Sequence, residues 1–369
     1  MNWKVPYIDL GRQFKPLQKE YISEFKKVMS KGDFILRSDV EKFEKKIAKF
    51  LGVKYVVSVN SCTDALFLVL GSLGLKRNSE IISVANTYVA TLSAIVHTGL
   101  RPVLADISND HNIDVKKIEK LINKNTKAIL PVHLNGRSCD MDRIVQIAKN
   151  HNLIVIEDAA QSFGAKFKDK MVGTFGTAGC FSLHPVKSLG SAGDGGFVAT
   201  NKKKLYEKIF RLRNHGQGMR RNSRFAMSRY DIEHFGFCSR LDNLQAAIVN
   251  TKFKLFKHCI NRRRNIASIY SKALKNLPLI LPSSYENKKY FDVYNSYVIR
   301  TSKQRQLFKF LRKKKIEVNI NWPKPLYKHQ CLKLRKILLP ETEKICKEII
   351  SLPIFPEMRQ KEIDFVIKN

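Results

Sequence analysis

The chain has 369 residues, 44% of them hydrophobic, which is enough for a full core in two structural units and reads as an ordinary globular protein. Its seven cysteines (62, 139, 180, 238, 259, 331 and 346) form no C-x-x-C pair and leave an odd count, which argues against a disulfide framework or a zinc ribbon. The formal charge of +35 and a pI near 10 would suit a nucleic-acid binder, but in KKKLYEKIFRLR (202–213) and KQRQLFKFLRKKK (303–315) the basic residues alternate with a buried apolar stripe, so they read as solvated helix faces.

In chain order, the opening MNWKVPYIDLGRQFKP has no apolar core of signal-peptide length, and no later stretch approaches the roughly 20 apolar residues of a membrane span, so a cytoplasmic protein with no membrane partner is expected. Residues 40–50 (VEKFEKKIAKF) carry apolar residues at helical spacing. The β-branched run YVVSV follows, then the helical SCTDALFLVLGSLGL. EIISVAN with TYVATLSAIVHTG, PVLADI, AILPVHL with MDRIVQIAKNHN, and LIVIEDAA repeat the alternation, which predicts an α/β fold with a mainly parallel sheet flanked by helices. LIVIE reads as an almost continuous apolar run, as a central strand covered on both faces should be.

From about residue 245, LQAAIVNTKFKLFKHCINRRRNIASIYSKALKNL is too long for one helix of a compact domain without a bend, and is expected to bridge two domains. Beyond it NSYVIRT, the helix QRQLFKFLRKK, IEVNINW and a final helical region predict a smaller α+β unit. The division expected is 1–248 and 249–369.

In open α/β sheets ligands bind beyond the carboxyl ends of the strands, so the loops there are the place to look for chemistry. Ser61 can cap the helix after YVVSV, with Asp64 three residues on making something close to a capping box; the N–H groups at Cys62 and Thr63 could hold a phosphate, although a plain capped helix is the commoner use of such a string. Tyr88, in Asn86-Thr87-Tyr88, could lie against an aromatic cofactor ring, where simple packing is the ordinary alternative. Asp158 closes a largely apolar strand and needs a partner such as a protonated pyridine nitrogen, a metal or an arginine; Gln161 lies one turn on. A metal is disfavoured because histidines and further carboxylates at ligand spacing are missing, so no metal site is expected.

Lys187 stands in CFSLHPVKSLGSAGDGGF, after Ser-x-His-Pro and before a glycine cluster. Those neighbours suit a pyridoxal phosphate lysine, whose amine would lose its proton more easily beside a cationic ring and would later move a proton as general base. Ser182 could donate to the phosphate, and Gly190, Gly193, Gly195 and Gly196 would let backbone approach the cofactor. Their order is not that of a nucleotide P-loop.

Taken together, these strings resemble the sugar-nucleotide aminotransferases of the DegT type, a branch of the fold-type I pyridoxal phosphate enzymes. The resemblance runs from VPYIDLGRQFKPLQKEY through GDFILRSDVEKFEKKIAKFLGVKYVVSVNSCTDAL, ANTYVAT, PVHLNGRSCDMD, EDAAQSFGA and FSLHPVKSLGSAGDGG to RNHGQG, SRLDNLQAAI, PLYKHQ and SLPIFPEM. It implies a homodimer with active sites at the subunit interface, in which Lys187 holds pyridoxal 5'-phosphate, Asp158 pairs with the pyridine nitrogen, Tyr88 stacks on the ring and Gln161 contacts the phenolic oxygen. Thr63, Ser182 and the backbone near Cys62 would hold the phosphate. It further implies transfer of an amino group, commonly from glutamate, to a keto sugar carried on a nucleoside diphosphate, and LGSAGDGG looks more like members that aminate carbon 3 than carbon 4. Three departures stand out. Cys238, in GFCSRLD, replaces an asparagine that reaches across the dimer to the partner's phosphate; Cys62 replaces a usual glycine; and Asn321-Trp322, in NINWPKP, replaces His-Tyr before proline. Dehydratases of the same fold carry histidine where Lys187 stands, and regulators of the fold usually carry a separate DNA-binding domain, absent from this pattern.

Overall fold

The structure is a computed structural model that describes residues 3–219, 227–283, 288–335 and 337–369, apart from the side chains of 218, 219 and 227–231. Helices α1 (Leu10–Phe14), α2 (Gln18–Lys31) and α3 (Ser38–Leu51) lead in. In α3, Val40, Phe43, Ile47 and Leu51 recur at helical spacing and are buried, Asp39 and Glu41 sit in the first turn where the helix dipole favours them, and Gly52 ends the helix at φ 71°.

Alternation then follows as the sequence predicts: β1 (Tyr55–Val59), α4 (Cys62–Ser72), β2 (Glu80–Val84), α5 (Val89–His97), β3 (Arg101–Ala105), the single turn α6 (Val115–Ile118), β4 (Thr126–Ile129), α7 (Met141–Asn150) and β5 (Ile154–Asp158). The two-residue strands β6 (Lys166–Phe167) and β7 (Lys170–Met171) make a small hairpin before β8 (Ala178–Ser182), β9 (Gly196–Thr200) and α8 (Lys203–Leu212). A seven-stranded sheet has the order β1-β9-β8-β5-β4-β2-β3. Only β9 runs against its neighbours, so β1, β2, β4, β5 and β8 deliver their carboxyl ends to one edge.

One charge interrupts the apolar reading of LIVIE. Glu157 is fully buried, and it is satisfied by the N–H groups of Gly173, Phe175 and Gly176 at 2.7 Å each and by His133 Nε2 at 3.1 Å. The Cys139 N–H donates to His133 Nδ1, which places the ring proton on Nε2, facing the carboxylate. A buried carboxylate is tolerated here because every side of it meets a donor.

The hairpin β10 (Gln217–Met219) and β11 (Met227–Ile232) precedes α9 (Asn243–Lys252) and α10 (Phe256–Leu274). The expected bend of the long helical stretch is a single 3-10 turn at Phe253–Leu255. Strand β12 (Tyr290–Phe291) pairs with β6, β13 (Tyr297–Arg300) pairs with β14 (Ile349–Leu352), and α11 (Gln304–Lys313), α12 (Pro340–Glu348) and α13 (Gln360–Lys368) complete the chain. An apolar cluster of its own holds this part together, built on Ile266, Tyr270, Tyr297, Ile350 and Phe355, with Val5 joining from the N-terminal segment. IEVNINW does not form the strand its sequence suggests. It makes one bridge from Ile316 to Val5 and one from Asn319 to Ser351, and Trp322 stands in left-handed backbone at φ 55°. Among the described residues no helix is long and apolar enough to cross a membrane.

Candidate active site

At the edge where the parallel strands end, Ser61 caps α4 from extended backbone, its Oγ accepting the Asp64 N–H at 3.0 Å. The capping box stays half made: the Asp64 carboxylate accepts instead from Ser239 Oγ at 2.7 Å, tying this loop to the segment before α9. The N–H groups of Cys62 and Thr63 are left without partners among the described residues, at the positive end of an eleven-residue helix. That end of α4 is an anion site by construction. Strand β9 passes close beneath it, and a Cβ on Gly196 would stand 2.4 Å from the Ser61 carbonyl carbon and 2.6 Å from the Cys62 nitrogen.

Asp158 ends β5 and is almost wholly buried. Thr91 Oγ1 donates to its Oδ2 at 2.8 Å and the Ala160 N–H to its Oδ1 at 3.1 Å; Thr91 in turn meets Thr87 Oγ1 at 2.8 Å. Burial pushes the Asp158 pKa up, and these two hydrogen bonds, with the positive charge of Lys187, oppose the rise. The carboxylate is thus held ionisable but short of a full counter-charge. Gln161 is fixed differently: its Oε1 accepts the Asn135 N–H at 2.8 Å. Tyr88, the N-cap of α5, is 66% exposed, so it is not the packing tyrosine that composition alone favours.

Lys187 follows β8 in a turn closed by its own N–H bonded to the His184 carbonyl at 2.9 Å. Burial lowers the pKa of its amine, while the Asp158 carboxylate pulls the other way. Its amine has no hydrogen-bond partner among the described residues. A half-buried lysine with a depressed pKa and a free amine is the arrangement a nucleophilic lysine needs.

Ser61, Cys62, Thr63, Tyr88, Asp158, Gln161, Ser182 and Lys187 all line one cavity of about 360 Å³. Cys238 does not line it; it is exposed and forms a backbone bridge with Asn214. Gly195 lines the cavity, but the other glycines make room for protein: Gly190 for Pro185, Gly193 for Gln245 and Gly196 for Ser61. Three residues join those expected from the sequence: Thr91, which holds Asp158, and His184 and Asp194, which also face the cavity. Thr91 had a signal, since it falls one helical turn from Thr87 on the start of α5.

Pyridoxal 5'-phosphate fits this set of residues. A phosphate has the start of α4 and Ser182, a pyridinium has the buried carboxylate that otherwise lacks a full charge partner, and an aldehyde has an unpaired amine. Among the described residues no group of three or more histidines, cysteines or carboxylates could hold a metal.

The model of the DegT/DnrJ/EryC1/StrS aminotransferase family matches residues 15–369. The chain is 38% identical over 99% of its length to dTDP-3-amino-3,6-dideoxy-alpha-D-galactopyranose transaminase of Aneurinibacillus thermoaerophilus, covering 98% of that protein. It is 36% identical over 99% of its length to the pleiotropic regulatory protein of Geobacillus stearothermophilus, covering 97% of it. The crystal structure of S. venezuelae DesV in complex with a ketimine intermediate superposes with a TM-score of 0.93 at 32% identity, over 100% of this chain and 97% of the other.

Proposed function

The chain belongs to the DegT/DnrJ/EryC1/StrS aminotransferase family, and on that premise we propose that it aminates a keto sugar carried on a nucleoside diphosphate, taking the amino group from L-glutamate through pyridoxal 5'-phosphate. The observation that carries the reading is the Lys187 amine and the Asp158 carboxylate on the wall of one cavity, with the start of α4 at its side.

Bound there, pyridoxal 5'-phosphate supplies a carbonyl that condenses with amines and a ring that takes up electron density. Lys187 would hold the cofactor and, once displaced, would move the proton at the reacting carbon, with an amine pKa that burial lowers. Asp158, steadied by Thr91 and the Ala160 N–H, keeps the ring nitrogen protonated. Tyr88 would lie against the ring, Gln161 would offer its amide NH₂ to the phenolic oxygen, and Thr63, Ser182 and the Cys62 backbone would hold the phosphate. Histidine would be needed at position 187 for the dehydratase alternative.

Amination at carbon 3 is supported by LGSAGDGG and by the 3-amino sugar in the name of the Aneurinibacillus relative. We place the active form as a cytoplasmic homodimer. Its support is the apolar face of α2, where Ile22, Phe25 and Met29 are 43%, 48% and 48% exposed at helical spacing, and the fully exposed Phe235 close to Cys238. Cys238 then belongs to the partner's phosphate site, as a weak donor. The units 1–248 and 249–369 are taken as the two domains; the C-terminal part has an apolar cluster built largely from its own residues, and it also sends Val298, Leu326, Ile345 and Ile349 into the core of the large sheet.

A panel of nucleotide-linked 3-keto and 4-keto sugars, assayed for glutamate-dependent amination, tests the proposal. Turnover of 3-keto sugars is expected; exclusive turnover of 4-keto sugars would overturn the regiochemistry, and turnover of none would overturn the substrate class.

A further inference from the structure

Gln161 is aimed by a neighbour that does not line the cavity. Its Oε1 accepts the N–H of Asn135, and because a carboxamide carries its acceptor on one side and its two donors on the other, that bond turns the NH₂ towards the cavity. Asn135 can present its N–H there because it sits at φ 58°, ψ 7°, a left-handed conformation that asparagine tolerates and β-branched residues resist.

The turn holding it is pinned from several directions. The Leu134 N–H donates to Asn112 Oδ1 at 2.9 Å, and the Arg137 N–H closes the turn on the Leu134 carbonyl at 2.9 Å. On the other side the Val293 N–H donates to the Gly136 carbonyl at 2.9 Å, and a Cβ on Gly136 would stand 2.7 Å from the Asn295 nitrogen. The side chain of Asn135 points away from Gln161, its Nδ2 3.1 Å from His111 Nδ1, beside a second, smaller cavity of about 40 Å³. Burial, with the charge of Arg300, lowers the His111 pKa to about 4 against the pull of Asp110, so the ring is neutral at pH 7 and can accept that bond.

We propose that Asn135 is a positioning residue: its left-handed turn, clamped between Asn112 and the 293–296 segment, fixes the Gln161 amide with its donors towards the cofactor's phenolic oxygen. This rests on the role given to Gln161 above. A donor at that oxygen weakens its hold on the proton it shares with the Lys187 nitrogen, so losing the donor makes that proton harder to remove.

The test is a pH titration of the visible band of the holoenzyme. Gln161→Ala is expected to move the midpoint up by about one pH unit, the scale of one hydrogen bond to a charged group. Asn135→Val, and Asn135→Ala should the valine variant not fold, is expected to move it in the same direction, while Asn135→Gly, which keeps both the N–H and the backbone conformation, restores the parent midpoint. If Gln161→Ala shifts the midpoint and neither Asn135→Val nor Asn135→Ala does, the positioning role is wrong and the reading of Gln161 stands. If Gln161→Ala itself leaves the midpoint in place, both fail. A shift in Asn135→Gly as large as in Asn135→Ala would overturn the claim that the backbone N–H is what acts.

Discussion

Asp158 shows how the site stores its chemistry in single side chains. Its carboxylate is buried beside Thr91, and burial raises its pKa, so in the cofactor-free protein it opposes folding rather than supporting it. In the role proposed for it, the same carboxylate would stabilise a protonated ring nitrogen of the bound cofactor. Asp158→Asn is therefore expected to leave the thermal midpoint of the cofactor-free protein at or above the parent value while lowering the amination rate by about 10²-fold or more, the range of a lost charge-stabilising group. A calorimetric scan beside a rate assay checks both halves, and a large fall in stability would contradict the first. Lys187 and Asp158, which the structure brings to one cavity, are marked in the sequence by their neighbours: a charge at the end of a largely apolar strand, and a lysine between Ser-x-His-Pro and a glycine cluster. Tyr88 and Gln161 carry no such local mark and are named through the family resemblance. Asn135 is not marked either, because what it contributes is a backbone N–H, and a left-handed asparagine has no local mark that separates it from an ordinary turn.

At the scale of elements, the crossing of β9 beneath the start of α4 shapes the proposed phosphate site. Gly196 lets the strand pass within van der Waals reach of Ser61 and Cys62. Gly196→Ala is expected to cost about 1–3 kcal/mol of stability through overpacking, and to weaken cofactor affinity more than Gly193→Ala does, because Gly193 meets only the movable end of the Gln245 side chain. Urea unfolding and a cofactor titration of the two variants measure this; equal affinity in both would contradict it. The parallel strands and their helices could be read from apolar periodicity, since strands covered on both faces and amphipathic helices differ in period. IEVNINW could not, because a β-rich composition does not reveal whether a partner strand is within reach, and here Ile316 and Asn319 find single bridges only.

For the whole molecule, the outstanding feature is exposed apolar surface, the ground on which a dimer is proposed. Ile22, Phe25 and Met29 face outwards on α2, and Tyr88 and Phe235 stand exposed near the cavity and near Cys238. Phe25→Glu is expected to convert a dimer into a monomer in sedimentation or light-scattering measurements and to reduce amination along with it, because each site would lose what the partner supplies. A monomeric parent protein, or a monomeric variant with full activity, would contradict the dimer. The charge of +35 acts over the same scale, where an anionic nucleotide sugar is drawn towards a positive surface and its association rate falls as salt is added.

The most direct test of the central claim, that Lys187 holds pyridoxal 5'-phosphate for transfer of an amino group, is an absorbance titration of the purified protein with the cofactor and then with L-glutamate. The account predicts a visible band that glutamate bleaches, restored by a nucleotide-linked keto sugar and absent from Lys187→Ala, which loses about three orders of magnitude or more in amination rate. A protein that takes up no cofactor, or a Lys187→Ala variant that aminates at the parent rate, would contradict it.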